Sequence, residues 1–237
     1  MAPNPLLAWM LPADVHCAEQ FGDADETAGL PAERAAIAHA VAARRGDYLG
    51  VRDCARTALA ALGHAPVAIG TGPKREPIWP AGVVGSLTHC AGYRAAAVAS
   101  ARRLHSVGID AEPHEPLPAG VLETVGLPEE VRAVAALERA DRGTHWGRVL
   151  FCAKEAVYKA WFPLTGEWLG FEEASIVIET TGQGPRRHHG SPHGGQFSAR
   201  LLRPGPIVDG ARLTCFDGRW TVAAGLVSTV VLVPLRP

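Results

Sequence analysis

Three carboxylates in two short stretches have the types and spacing to do metal-assisted chemistry. In Phe151-Cys152-Ala153-Lys154-Glu155-Ala156-Val157-Tyr158-Lys159-Ala160-Trp161, Glu155 and Lys159 stand four residues apart. Apolar Val149, Leu150, Ala153, Val157, Ala160 and Trp161 recur at helical spacing, so the stretch reads as an amphipathic helix with Glu155 and Lys159 on one side. On spacing alone that pair is a surface ion pair worth a few tenths of a kcal/mol. The second stretch, Val107-Gly108-Ile109-Asp110-Ala111-Glu112, alternates apolar and acidic residues as a half-buried strand does. Alternate strand residues share a face, so Asp110 and Glu112 project together. Carboxylates from a strand and a helix can converge on a hard cation such as magnesium, whereas His and Cys would suit zinc.

The elements that must position these acids follow from the rest of the chain. At 237 residues it forms one large or two small domains with ample core, and a net charge of −1 speaks against a nucleic-acid or membrane-surface protein. The apolar N-terminal residues 2–12 are broken by Pro3, Pro5 and Pro12 and carry no basic flank, which predicts no export signal; no segment has the length of a membrane span. Five scattered cysteines without CxxC spacing predict reduced thiols in a cytoplasm. Of 23 basic residues only Lys74, Lys154 and Lys159 are lysine, and each lies in a stretch with chemical potential.

Residues 13–30 read as an irregular or short-stranded opening. Helices are predicted from Pro31, from Tyr48 to Leu62, from Pro128 to Arg139, and from Trp146 until Pro163 and Gly166 end it. Arg44 and Arg52 are spaced to flank a phosphate. Residues 63–82 form a Gly- and Pro-rich loop carrying Lys74 and Arg75. The run Gly82–Ala99 reads as a hairpin turning at Ala91-Gly92. It is echoed at Leu213–Ala224: both run Leu-Thr, three residues, Gly, then a strand of small residues, which suggests two similar lobes. Strands are predicted at 175–179, 197–202, 212–216 and 220–233. Residues 181–196, with three histidines, read as a surface loop rather than a metal tract because Gly and Pro dominate them.

Three motifs together resemble one family. Trp79-Pro80 through Ser86-Leu87-Thr88-His89-Cys90, Gly108-Ile109-Asp110-Ala111-Glu112, and Phe151-Cys152-Ala153-Lys154-Glu155 with Tyr158-Lys159-Ala160 are similar, in order and spacing, to the surfactin- and enterobactin-synthetase type of 4′-phosphopantetheinyl transferase. The likeness runs from about Arg44 to about Phe171 and is nearest to the actinobacterial members that serve type I polyketide and mycolate synthases. It implies an α+β fold, a pseudo-twofold pair of similar α/β lobes with the active site in the cleft between them. Residues 1–107 would form the lobe that grips the nucleotide of coenzyme A. Residues 108–237 would form the lobe with the metal site and the catalytic helix.

By that resemblance Asp110, Glu112 and Glu155, with the carbonyl of Ala111, would hold Mg2+. His89 would meet a phosphate of coenzyme A, with Ser86 and Thr88 of the same motif beside it. Arg44, Arg52, Lys74 and Arg75 would grip the nucleotide end and its 3′-phosphate. Glu155 is the candidate base, directly or through a metal-bound water. Lys159, with Lys154 as a second candidate, would balance charge on the departing 3′,5′-ADP. Trp168, Leu169 and Phe171 are either core or lining for the pantetheine arm. The acceptor would be a serine of an apo acyl or peptidyl carrier protein of a fatty-acid, polyketide or nonribosomal peptide synthase. Such carriers are acidic, so a basic and apolar docking surface is expected, with Arg148 and the segment after Pro118 as candidates. Two lobes in one chain imply a monomer. One position departs from the pattern: Glu76 precedes Pro77 where some members carry Lys.

Taken without the resemblance, the same acids would serve a magnesium-dependent phosphohydrolase or nuclease, although a nuclease would want a more basic surface. The basic residues alone would serve a non-catalytic module binding coenzyme A or a carrier protein.

Overall fold

The chain runs from strand to helix to hairpin twice. The computed structural model describes residues 6–23, 25–180 and 193–235. The first pass is β1 (Val15–Phe21), α1 (Pro31–Ile37), α2 (Ala42–Ala61), a small ribbon of β2 (Gly70–Thr71) and β3 (Pro77–Ile78), and the hairpin β4 (Val83–Cys90) and β5 (Tyr93–Ser100). The second pass is β6 (Leu104–Pro113), α3 (Val121–Val125), α4 (Pro128–Ala140), α5 (Trp146–Thr165), a 3₁₀ turn at Phe171–Glu173, β7 (Ala174–Thr180), β8 (His193–Leu201), the ribbon β9 (Ile207–Val208) and β10 (Ala211–Arg212), and the hairpin β11 (Cys215–Ala223) and β12 (Leu226–Pro234). Most of the tract at 181–196 lies outside the described residues, and its last four residues open β8.

Each pass makes one antiparallel sheet, ordered β1-β5-β4 in the first and β6-β12-β11-β8-β7 in the second. In both, the opening strand pairs with the closing strand, so the two α/β lobes repeat one three-stranded order, to which the second adds β8 and β7. The division expected between residues 107 and 108 falls inside β6, which belongs to the second sheet from Leu104 onward.

The phase of the repeat differs from the one suggested by the sequence. The Leu-Thr match sets Gly92 opposite Gly218, but Gly92 turns the β4–β5 hairpin while Gly218 lies within β11. There a Cβ would stand 2.1 Å from the ring of Phe197, so this glycine makes room for an aromatic on β8. The turn that corresponds to Ala91-Gly92 is Ala224-Gly225, which also splits the single strand expected over 220–233.

A different repeat does hold. Leu30-Pro31-Ala32-Glu33 opens α1 and Leu127-Pro128-Glu129-Glu130 opens α4. Pro fits the first helical turn, where no N–H is needed, and each Glu reaches back to the amide of its Leu, at 2.9 Å and 2.6 Å. Both glutamates are buried. Each also accepts an incoming amide, Ile69 onto Glu33 and Ile176 onto Glu130, and each meets a cation from the lobe's long helix, Arg56 of α2 or Lys154 of α5.

Small residues let the layers close up. On β5, Ala96 and Val98 face α2, whereas Tyr93, Ala95, Ala97 and Ala99 face a core shared with β6 and β12. That shared core, with Leu6, Leu7, Val107, Ile109 and Val230, joins the lobes. On β6 the opposite face meets α5. Ser106 donates to the carbonyl of Ala160 at 2.7 Å, and at Gly108 a Cβ would sit 2.0 Å from the carbonyl of Ala156. Only glycine lets α5 pass this close, and the next residues on that face are Asp110 and Glu112. Helix α5 runs through Pro163 and stops at Gly166, which takes the left-handed conformation at φ 67°.

Candidate active site

The acids meet where β6 passes under α5 at the seam of the lobes. Asp110 is buried, and Lys159 donates to its Oδ1 at 2.7 Å while Thr88 of β4 donates to the same oxygen at 3.1 Å. Among the described residues its Oδ2, also buried, has no hydrogen-bond partner. Glu155 lies one helical turn before Lys159. Burial first, and then the charge of Asp110, push its carboxyl above the usual carboxylate range, with Lys159 opposing. Glu112 is raised for the same two reasons, against the pull of Arg148 and Lys159 and with a further push from Glu155. Burial works against the Lys159 ammonium, yet Asp110 and Glu155 outweigh it and hold its pKa above the ordinary value.

An oxygen-rich set with surplus negative charge and one unpartnered buried oxygen fits a hard divalent cation. Among the described residues, however, no three His, Cys, Asp or Glu side chains are arranged to hold a metal as they stand. Lys159 sits on Asp110 and Arg148 sits on Glu112 at 3.1 Å.

The first lobe brings Arg44 and His89 to the other side of the seam. His89, at the end of β4, lies 3.4 Å from the Nη1 of Arg44 and 3.6 Å from a carboxylate oxygen of Asp47. Burial lowers its pKa; Asp47 opposes, and Arg44, Lys159 and Arg94 add to the lowering, so the ring is neutral at pH 7. Asp47 is held in turn by Arg94, which donates to it at 2.8 Å and to the carbonyl of Gly22 at 2.6 Å. Asp47 and Arg94 escape sequence reading because β5 and α2 meet only in the fold. Lys74 and Arg75 are exposed at the tip of the β2–β3 ribbon. Glu76 folds back there to accept the amide of Lys74 at 2.8 Å, so the departing residue caps its own loop.

Other expected site residues are engaged with the scaffold. Ser86 and Thr88 are buried and accept the amides of Ile109 and Ala111, both at 3.1 Å, which stitches the edge of β4 to β6. Arg52 is buried on the ring of Tyr48 and donates to the carbonyls of Ile69 and Tyr48 and to Thr71. Lys154 is not brought to the acids. It neighbours Glu155 in sequence, but one residue is 100° of helix, and its ammonium enters the core to meet Glu130 at 2.8 Å and the carbonyls of Phe171 and Ala174. Leu169 belongs to the core of the second lobe, whereas Trp168 is 68% exposed with its ring 4.7 Å from that of Tyr158. Phe171 is half-buried against Phe151. Arg148, named from the sequence as a docking residue, has a side chain only 13% exposed.

Comparison with known proteins points to one family. The model for the 4′-phosphopantetheinyl transferase N-terminal domain matches residues 32–99, and that for the 4′-phosphopantetheinyl transferase superfamily matches residues 106–216. The chain is 50% identical to 4′-phosphopantetheinyl transferase Npt of Nocardia iowensis over 95% of its own length and 99% of the relative's. It is 48% identical to 4′-phosphopantetheinyl transferase PptT of Mycobacterium tuberculosis, covering 98% of this chain and 100% of that one. With 4′-phosphopantetheinyl transferase Svp of Streptomyces mobaraensis it shares 46% over 96% and 89%.

Proposed function

Because this chain belongs to the 4′-phosphopantetheinyl transferase family, we propose that it moves the phosphopantetheine arm of coenzyme A to a serine of an apo acyl or peptidyl carrier protein and releases 3′,5′-ADP. The observation that carries the proposal is the acidic cluster of Asp110, Glu112 and Glu155 facing Arg44 and His89 across the seam. Asp110, Glu112 and Glu155 would hold Mg2+, which when bound neutralises the pyrophosphate and polarises it for attack. The Ala111 carbonyl lies at the β4 edge of the strand, on the side where its own amide meets Thr88, and is a further oxygen donor.

This chain's own groups do the rest. Glu155, with its raised pKa, takes the serine proton on its carboxylate, directly or through a water. Lys159 carries a firm positive charge for the leaving 3′,5′-ADP. Arg44, Lys74, Arg75 and the neutral His89 bind phosphates, and Arg52 braces Thr71 beneath them. Ser86 and Thr88 act through β6, keeping Asp110 and the Ala111 amide in place. Trp168 on Tyr158 offers an exposed aromatic surface for the pantetheine arm. The carrier would approach the half-polar depression in which Leu117 and Leu122 stand beside Glu123, Glu138 and Arg148. Among the described residues no helix is long and apolar enough to cross a membrane. We place the reaction in a reducing cytoplasm, in keeping with five free cysteines, and assign it to a monomer because one chain holds both sides of the seam.

Intact-protein mass spectrometry tests the proposal. An apo carrier protein incubated with this protein, coenzyme A and Mg2+ should gain one phosphopantetheine, and the gain should vanish without metal or with Glu155→Gln. Cleavage of coenzyme A with no gain on any carrier would make the protein a hydrolase instead. Binding of coenzyme A with neither cleavage nor gain would make it a binding module.

A further inference from the structure

Arg148 spends its whole guanidinium on one short strap. Its Nη1 donates to Glu112 Oε2 at 3.1 Å, its Nε to the carbonyl of Glu115 at 3.2 Å, and its Nη2 to the carbonyl of Pro116 at 3.0 Å. These three acceptors lie at and just beyond the end of β6, whereas Arg148 lies in the first turn of α5. The strap is pinned twice more. His114 Nε2 accepts the amide of His145, the residue that opens α5, at 3.0 Å, and the amide of His114 donates to the carbonyl of Gly225 in the β11–β12 turn at 2.8 Å.

We propose that Arg148 is a positioning residue for Glu112: by holding Oε2 and the two carbonyls that follow, it fixes the Glu112 carboxylate in one rotamer with only Oε1 left for a cation. This rests on the reading of Asp110, Glu112 and Glu155 as the metal-holding acids. The physical need is evident from the charges. Glu112 is at the mouth of the seam with its side chain 24% exposed, and both Asp110 and Glu155 repel it. A partly exposed glutamate under such repulsion swings toward solvent unless something holds it. Arg148 supplies the opposing charge, and its planar fork, anchored on two backbone carbonyls, cannot follow the carboxylate outward. A lysine here would supply the charge without the anchoring.

The test uses Mn2+ as the probe. Its binding to the full chain with coenzyme A is followed by loss of the free-ion spin-resonance signal, with transfer measured in parallel. Arg148→Ala should weaken Mn2+ binding about 10- to 100-fold, the range usual for a partner standing behind a metal ligand, while coenzyme A binding without metal stays within about twofold. Arg148→Lys should recover part of the loss. In a Glu112→Gln background, Arg148→Ala should add no more than about twofold, because its effect passes through that carboxylate. An equal loss in both backgrounds, or unchanged Mn2+ binding in Arg148→Ala, would overturn the assignment. Should Arg148→Ala fail to fold, the cycle of Arg148→Lys with Glu112→Gln applies the same criterion. Asp110→Asn separates this proposal from the one beneath it. Mn2+ binding lost in Asp110→Asn but kept in Arg148→Ala sinks only the role of Arg148, whereas no Mn2+ binding by the unaltered protein sinks both.

Discussion

The two lobes share a frame and divide the chemistry. Their hairpins set a register in which Tyr93 opposes Phe21 in the first lobe and Leu226 opposes Pro113 in the second. Counting back along the opening strands, Ala18 and Gln20 of β1 stand where Asp110 and Glu112 stand on β6. The glutamates that anchor α1 and α4 are alike in the kind of each partner: a Leu amide, an Ile amide and a cation from the long helix. The polar residues facing the seam are not. The first lobe sends Arg44 and His89 there, and the second sends Asp110, Glu112, Glu155 and Lys159. Repetition therefore accounts for the scaffold, and the departures from repetition account for the site. A cleft between identical lobes would carry the same charge on both walls. Here three carboxylates with Lys159 stand on one wall and Arg44 with His89 on the other, the division on which the proposed binding of a cation and a pyrophosphate rests.

The sharpest way to break this comparison is to give the second lobe the residues of the first. Asp110→Ala should cut phosphopantetheine transfer about 10³-fold or more, and Glu112→Gln about 10- to 100-fold, with the melting curve showing a folded protein. Near-normal transfer by Asp110→Ala would mean that the asymmetry of the opening strands is not what makes the site.

The anchors come next. Lys154→Met leaves Glu130 buried without its cation and should cost about 3–5 kcal/mol in denaturant unfolding. The matching Arg56→Met should cost less, about 1–3 kcal/mol, because the Arg56 side chain is 11% exposed against 2% for Lys154 and water takes up part of the loss. In both, the folded fraction should keep its kcat. A lowered kcat with unchanged stability in Lys154→Met would return Lys154 to the reaction.

A smaller effect separates function from stability at Glu155. Its folded pKa, like that of Glu112, lies above the ordinary 4.5, so the folded protein holds these protons more tightly than the unfolded chain does. In metal-free protein their contribution to stability is greatest below pH 4.5 and falls as pH rises through the raised values. Glu155→Gln should therefore raise Tm at pH 7, leave it little changed at pH 4, and still lose transfer. A lower Tm at pH 7 would show that Glu155 is satisfied in the fold rather than strained. The smallest effect is expected at the nucleotide end. Arg44→Ala should raise KM for coenzyme A about tenfold and affect dephospho-coenzyme A less, since a charge-assisted phosphate contact is worth about 1.5 kcal/mol or more. Equal defects with both donors would remove Arg44 from the 3′-phosphate.

Much of the site is legible in the chain because it is local. Period 3.6 puts Glu155 and Lys159 of α5 on one side, and period 2 puts Asp110 and Glu112 of β6 on one face, because backbone geometry sets those directions whatever surrounds them. The anchors are legible too, as two copies of Leu-Pro-x-Glu, but the Leu-Thr echo competes with them and gives the wrong phase. Whether a glycine turns a chain or clears space for Phe197 depends on a neighbour twenty-one residues away, so residue type does not distinguish Gly92 from Gly218.

The residue types and their sides were determined by the sequence. Their partners were decided by the tertiary structure. Nothing near Lys154 in the chain announces Glu130, nothing near Arg148 announces the strap after Glu112, and nothing near Arg52 announces Ile69 and Thr71. A charge is worth what its surroundings make it worth, and those surroundings come from strands and helices remote in the chain. The same lysine ammonium closes a core at 154 and meets the acids of the candidate site at 159, five residues on, because one side of α5 meets α4 and β7 while the other meets Asp110 across the gap that Gly108 leaves open.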